Sequence, residues 1–104
     1  MANYLLAYVG GGGVEGDEEA RQKVMTEWMN WFGVLGEAIV DGGNPFGASK
    51  SVASGGKVGA ATAGLTGYTI VKADSLDAAT EMAKGCPVVT SGGSVEVYET
   101  VPVM

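Results

Sequence analysis

The segment GYTIVKADSLDAATEMAKG, residues 67–85, contains two adjacent secondary-structure signals. Its first part, YTIVKA (68–73), is rich in β-branched and aromatic residues and predicts a strand. Asp74 or Ser75 then supplies an N-cap, and Gly85 ends the helix that follows. The apolar stripe of this helix comprises Leu76, Ala79, Met82 and Ala83. The segment therefore predicts a strand that leads directly into an amphipathic helix.

Outward from this segment, other parts of the chain have equally clear signals. Residues 3–9 (NYLLAYV) predict a buried strand, residues 17–35 a long helix closed by Gly36, and residues 94–101 (SVEVYETV) a final strand. The apolar face of the long helix comprises Val24, Trp28, Trp31 and Leu35, widened by Met25, Met29 and Phe32. A weak strand near 49–54 completes the order β-α-β-β-α-β. This order predicts an α+β, ferredoxin-like fold with both helices on one face of a four-stranded antiparallel sheet.

The length, net charge and cysteine content of the sequence limit the classes of protein to be considered. The 104 residues suit one domain, 1–104, in which the glycine-rich segment 40–67 is expected to be a flexible connection. The net charge of −6 gives no electrostatic footprint for nucleic acid or for an anionic membrane. A single cysteine, the lack of a basic leader and the lack of a membrane-spanning apolar run favour a soluble cytoplasmic protein.

Alternation along the predicted strands separates two faces of the sheet. The face expected under the helices comprises Leu5, Ala7, Val9, Thr69, Val71, Ala73, Val95 and Val97. The opposite face comprises Tyr4, Leu6, Tyr8, Tyr68, Ile70, Lys72, Glu96 and Tyr98. Because a large exposed apolar face marks an interaction site, we predict a homodimer in which two such faces meet. The second face either packs only as an interface, with a Lys72–Glu96 salt bridge, or lines a cavity for a small apolar or aromatic ligand.

The glycine-rich run near the N-terminus raises the question of a cofactor-binding site. YVGGGGVEGDEEA, residues 8–20, contains Gly11, Gly13 and Gly16 at the spacing of a dinucleotide-binding turn. Acidic residues follow at once and oppose a phosphate at that helix N-terminus. We therefore predict a flexible connector and no cofactor site. The absence of histidine likewise leaves no plausible zinc ligand set and no base for Ser-His-Asp or Cys-His catalysis.

Four side chains are candidate catalytic groups. Asp41, followed by two glycines, could act as a base in an apolar setting, or it could only hold a turn through backbone hydrogen bonds. Glu96, together with Lys72 or Tyr98, could move a proton on a small substrate. The sequence alone does not decide between these roles.

Cysteine and tryptophan provide weaker signals. Cys86 lies just beyond a predicted helix C-terminus, where the dipole raises the pKa of a thiol, and we interpret it as a packed structural residue. Trp28 and Trp31 could bound a ligand slot, but their helical spacing favours positions in the core.

Three segments carry a resemblance to a known family. YLLAY (4–8), WMNWFGVLGEAIVDGGNP (28–45) and GYTIVKADSLDAATEMAKGCPVVTSGGSVEV (67–97) resemble the YCII-related (DGPF-domain) family. The resemblance implies a ferredoxin-like fold that dimerises through its sheets into an α/β barrel. Some members carry a His–Asp pair and are suspected of acid–base chemistry on small ring compounds, and others accompany sigma-factor-type transcription genes. This chain has no histidine, and GGNPFG (42–47) only loosely matches the DGPF tetrapeptide.

Three functional hypotheses follow. The first is a homodimeric small-molecule-binding or assembly module without catalysis. The second is an acid–base isomerase or lyase acting on a small ring compound, and it requires that Asp41 and Glu96 are not both exposed to solvent. The third, suggested only by the resemblance, is an accessory protein in transcription regulation, with 40–67 as the partner surface.

Overall fold

The structure, a computed structural model, describes residues 2–10 and 18–103 and has a mixed α+β fold. Its strands are β1 (Ala2–Val9), β2 (Ile39–Asp41), β3 (Ser51–Val52), β4 (Val58–Gly59), β5 (Leu65–Ala73) and β6 (Ser94–Glu99). Its helices are α1 (Glu18–Leu35), α2 (Leu76–Ala83) and α3 (Pro87–Thr90), and a 3₁₀ turn, Gly36–Ala38, follows α1. The predicted four-stranded antiparallel sheet is confirmed, with strand order β2-β5-β1-β6.

The fourth strand of this sheet is not the one that the sequence predicts. The three-residue β2 occupies the edge beside β5, whereas the predicted strand near 49–54 is reduced to β3, which pairs with β4 in a separate two-stranded sheet. Gly55 and Gly56 both have a φ of +88°, which glycine adopts without steric cost and which turns the chain back at the tip of this hairpin. A three-residue strand is too short to show alternation, so β2 has no clear sequence signal.

The predicted faces of β1 are exchanged in the structure. Tyr4, Leu6 and Tyr8 belong to the core cluster beneath the helices and are at most 5% exposed. Leu5, Ala7 and Val9 alternate with them and therefore lie on the other face, which we call the open face. The predictions for β5 are correct, because Val71 and Thr69 pair with Tyr4 and Leu6, whereas Ile70 and Tyr68 pair with Leu5 and Ala7. Those for β6 are also correct, since Val95 and Val97 pack against the core cluster.

The error in β1 has a physical cause. Both alternating sets of β1 are apolar, so hydrophobic pattern alone does not specify which set faces the helices. The bulky set fits under the helices because Tyr8 pairs with Gly67, which has no side chain to compete with the ring. A Cβ added at Gly67 would lie 3.3 Å from Cδ2 of Tyr8.

The helices largely confirm their sequence signals. Gly36, with a φ of +54°, ends α1, and the hydroxyl of Ser75 accepts the amide of Ala78 at 3.0 Å as the N-cap of α2. Trp31 is buried, and its indole donates to the carbonyl of Met82 at 3.0 Å, which ties α1 to α2. The predicted widening of the α1 core face is only partly correct: Phe32 is half-buried, but Met25 and Met29 are 59% and 69% exposed.

Candidate ligand-binding site

A pocket of about 550 Å³ opens on the helix side of the sheet, not on the open face. Its walls come from α1 and from the loop that follows β2, and its floor comes from the ends of β1 and β5. The side chains that form the apolar wall are Val24, Met25, Trp28, Phe32 and Val88. The loop contributes residues 42–45, and the floor includes Tyr8 and Thr69.

Trp28 is the centre of the aromatic wall. Its ring meets Tyr8 at a centroid distance of 5.4 Å and an interplanar angle of 66°, an edge-to-face contact. It also lies 5.7 Å from the rings of Trp31 and Phe32. These separations fall in the range in which aromatic pairs attract one another, so the wall is held in place before any ligand enters. Trp31 is in the core as predicted, whereas Trp28 both packs on the core and lines the pocket.

A directed chain of hydrogen bonds crosses the pocket floor. The hydroxyl of Thr69 donates to the carbonyl of Gly42 at 3.0 Å, because a carbonyl oxygen can only accept. Since this uses the only proton of Thr69, the short 2.5 Å contact between the Tyr8 and Thr69 hydroxyls has Tyr8 as its donor. Burial raises the pKa of Tyr8 well above its ordinary value, and the phenol is therefore neutral. The Tyr8 hydroxyl also has a hydrogen bond with the Cys86 side chain, so its proton is directed to a partner inside the protein and its oxygen would serve a ligand as an acceptor.

The loop wall depends on one close approach. Gly43 has a φ of +75°, and a Cβ placed there would lie 1.6 Å from the carbonyl oxygen of Tyr68. The Asp41 carboxylate accepts the amide of Gly43 at 2.8 Å and the hydroxyl of Tyr68 at 3.3 Å. Asp41 therefore holds the turn, the simpler of its two predicted roles. Only glycine lets the loop pack this closely against β5.

The pocket is electrically neutral in its lining. Among the residues that the structure describes, those lining it include no aspartate, glutamate, lysine or arginine. Its polar groups are the Tyr8 and Thr69 hydroxyls, Thr66, the amide side chain of Asn44 and loop backbone. An ion entering such a site would lose its hydration without gaining a partner, which is costly.

The four predicted catalytic residues are not brought together. Asp41 lies on β2 and Glu96 on β6, the two opposite edges of the sheet, so they are at least about 14 Å apart at the usual strand spacing. Both are exposed, and neither lines the pocket. The Lys72–Glu96 salt bridge is also wrong, because β1 lies between their strands: Lys72 pairs with Asn3 and Glu96 with Ala7.

Glu96 does contact Tyr98, one of the two residues that the sequence analysis paired with it. The Tyr98 hydroxyl donates a hydrogen bond to its carboxylate, and this bond raises the pKa of Tyr98. The pair is exposed at the sheet edge, two residues apart on one strand. It is a local surface contact, away from the pocket.

Cys86 is packed as predicted, but only part of the predicted reason holds. It is fully buried, and burial is the main cause of its raised pKa. It also occupies the N-cap position of α3, where interactions with the backbone of Val88, the Tyr8 hydroxyl and the backbone of Val89 lower the pKa and oppose that effect. Pro87 begins this short helix, and a proline is well suited to the first helical position.

A comparison with known protein families matches residues 5–104 to the YCII-related domain. The chain belongs to the YCII-related domain family. The resemblance inferred from the three sequence segments is thereby confirmed. A search of curated proteins finds no match to this YCII-related chain.

Cofactor, metal and membrane sites were also considered from the sequence. The predicted connector at Gly11, Gly13 and Gly16 lies outside the described residues. Within residues 2–10 and 18–103, no cluster of three metal-ligating side chains occurs, and no helix is long and apolar enough to cross a membrane.

Several of the pocket residues were singled out in the sequence, but the sequence did not predict that they line one pocket. Trp28 and Phe32 are a helical pair, and their apolar character gives no sign of whether they face a core or a cavity. Thr69 was expected under the helices, where it is found, but its hydrogen bond to Gly42 depends on β2 lying beside β5. Because β2 was not predicted from the sequence, the pocket beside it was not predicted either.

Proposed function

We propose that this YCII-related protein binds a small, neutral molecule with an aromatic or otherwise planar apolar ring, and that it does so without catalysis. The observation that carries the proposal is the pocket, which combines a preformed aromatic wall with a lining free of charged side chains among the described residues. Its volume of about 550 Å³ lies within the usual range for small-molecule sites.

The polar groups of the pocket refine the ligand chemistry. Tyr8 already donates its proton to Thr69, so its oxygen is available only as an acceptor. The Asn44 amide at the rim can both donate and accept. A ring that carries a hydroxyl or an N–H group matches this arrangement better than a ring whose only polar group is a carboxylate.

Binding is preferred to acid–base catalysis because of where the carboxylates lie. Asp41 and Glu96 are exposed, on opposite edges of the sheet, and outside the pocket. An acid–base isomerase or lyase built on Asp41, Glu96, Tyr98 and Lys72 required that Asp41 and Glu96 not both be exposed, and this condition is not met. An accessory role in transcription rests on the family resemblance alone.

We further propose that the fold is ferredoxin-like and that the protein is a homodimer through the open face. The strand order β2-β5-β1-β6, with α1 and α2 both contributing to the core on one side, supports the first part. Leu5, Tyr68 and Ile70 are only half-buried on the open face, which supports the second. A stable pairing would bury about 800 Å² on each copy.

Fluorescence titration with two probes of the same ring tests the binding function. Neutral 2-naphthol should quench tryptophan emission saturably, whereas 2-naphthoate should bind at least about tenfold more weakly, because its charge loses hydration in the pocket. Equal affinity for both probes, or no saturable quenching by either, would overturn the proposal.

Two methionines on α1 provide a matched pair for the same titration. Met25 lines the pocket, whereas Met29 does not, and both are largely exposed. Met25→Glu should weaken 2-naphthol binding at least about tenfold because it places a carboxylate beside the ring. Met29→Glu makes the same chemical change and should leave the affinity unaltered.

A further inference from the structure

The hairpin formed by β3 and β4 projects from the rest of the molecule. We call residues 48–63 the arm, and every one of them is exposed. Two of its valines, Val52 and Val58, are 68% and 58% exposed. The radius of gyration is 15.1 Å, whereas a compact chain of this length has a value of about 13 Å.

A partner surface would stabilise such an arm. A two-stranded hairpin without a core of its own is marginally stable in water. The arm is held together by its short ladder and by its turn, where the amide of Ala53 donates to the carbonyl of Lys57 at 2.7 Å. Covering Val52 and Val58 would remove apolar surface from water and stabilise the hairpin.

Charge points to the partner. The arm contains Lys50 and Lys57 and no acidic residue, so it carries +2, while the remainder of the chain carries −8, which together make the net −6. On the main sheet, β6 pairs only with β1 among the described residues, and it carries the exposed carboxylate of Glu96 on the open face, whereas Glu99 lies on the helix side and accepts the Tyr4 hydroxyl at 3.5 Å. We propose that the arm of one copy docks on the β6 edge of a second copy.

The topology allows this contact. The arm connects β2 to β5, so it leaves the sheet on the β2 side, opposite to β6. When two such sheets face each other about a two-fold axis parallel to the strands, the β2 edge of each copy lies over the β6 edge of the other. Each dimer then contains two arm contacts. This inference rests on the homodimer of the proposed function, but not on the ligand pocket.

Charge reversal tests the arm without changing buried residues. Lys50→Glu/Lys57→Glu should raise the dimer Kd at least about tenfold in sedimentation velocity at ~20 mM salt, because each arm would then be repelled by the Glu96 carboxylate and by the net negative charge of the other copy. Arg21→Glu/Lys23→Glu is the matched control, since it changes the net charge equally at exposed positions away from the arm. Adding Glu96→Lys to the arm variant should restore the dimer Kd towards the original value.

The outcomes separate the arm from the dimer itself. An arm variant that dimerises as tightly as the unaltered protein overturns the docking of the arm and leaves the sheet-to-sheet dimer standing. Equal weakening by the control variant reduces the effect to net charge and also overturns the proposal. An unaltered protein that is monomeric at tens of micromolar overturns both the dimer and the arm contact.

Discussion

The two faces of the central sheet differ in how they use the same kinds of side chain. On the helix side, Tyr8 is buried and its hydroxyl is committed to an internal chain that ends on the Gly42 carbonyl. On the open face, Tyr68 and Tyr98 bond to the exposed carboxylates of Asp41 and Glu96. Tyr8 thus helps to form a rigid site on the helix side, whereas Tyr68 and Tyr98 contribute to a polar surface on the open face. Burial, more than residue type, therefore decides which phenols can shape a binding site.

The adjacent leucines of β1 provide the largest expected difference between the faces. Leu6 is completely buried under the helices, whereas Leu5 is half-buried on the open face. Leu6→Ala should lower the free energy of unfolding by about 3–4 kcal/mol, because it leaves a cavity in the core. Leu5→Ala should cost about 1 kcal/mol in dilute protein, as measured by urea denaturation.

The same pair sharpens the assignment of the open face. If the open face forms the dimer, the cost of Leu5→Ala rises with protein concentration, because the dimer depends on that side chain. The loss of unfolding free energy caused by Leu6→Ala should be the same at low and high protein concentration, because Leu6 packs in the core and not on the open face. Equal destabilisation by the two variants in dilute protein would contradict the assignment of Leu6 to the helix side and Leu5 to the open face.

The sequence could establish most of the secondary structure, but not the orientation of β1. The strand and helix at 68–83, the long helix and the final strand all have strong periodic signals, and the structure contains them. The assignment of β1 failed because LLAYV is apolar on both faces, and the room that Gly67 leaves for the Tyr8 ring on the helix side depends on strand pairing that the pattern does not show. The pocket could not be predicted without β2, whose three residues are too few to show a period.

The loop that closes the pocket provides the next test. Gly43→Ala should destabilise the protein by about 2–3 kcal/mol, since the new Cβ meets the Tyr68 carbonyl and the φ of +75° is strained for alanine. Gly42→Ala is the control, because its Cβ would have nothing within 4 Å. Thermal denaturation of both variants checks this, and equal melting temperatures would show that the loop does not pack closely against β5.

A smaller difference is expected between two tyrosines. Tyr8→Phe should cost about 1 kcal/mol, because it removes one buried hydrogen bond to Thr69, whereas Tyr98→Phe at the exposed edge should be close to neutral. Chemical denaturation at pH 7 measures both costs. A larger loss of stability for Tyr98→Phe than for Tyr8→Phe would contradict the conclusion that the Tyr8 hydrogen bond is buried and the Tyr98 hydrogen bond is exposed.

The pH dependence of stability gives a related prediction. Burial raises the pKa of Tyr8 above its ordinary value of 10.0, so the folded protein keeps a proton that the unfolded chain loses. The contribution of Tyr8 is therefore complete below pH 10 and falls as the pH rises beyond it. In urea denaturation between pH 9 and about 11.5, Tyr8→Phe should show a shallower loss of stability than the unaltered protein. Parallel curves would mean that Tyr8 is not buried as a neutral phenol.

The central claim is that ligands bind on the helix side of the sheet, and NMR of the ¹⁵N-labelled protein titrated with 2-naphthol tests it most directly. The indole signal of Trp28 and the amides of residues 42–44 are expected to shift together, because they line one pocket. The Trp31 indole, which is bonded to the Met82 carbonyl, should move much less. Shifts confined to Lys72, Glu96 and Tyr98 on the open face would contradict the claim and place the ligand between the sheets.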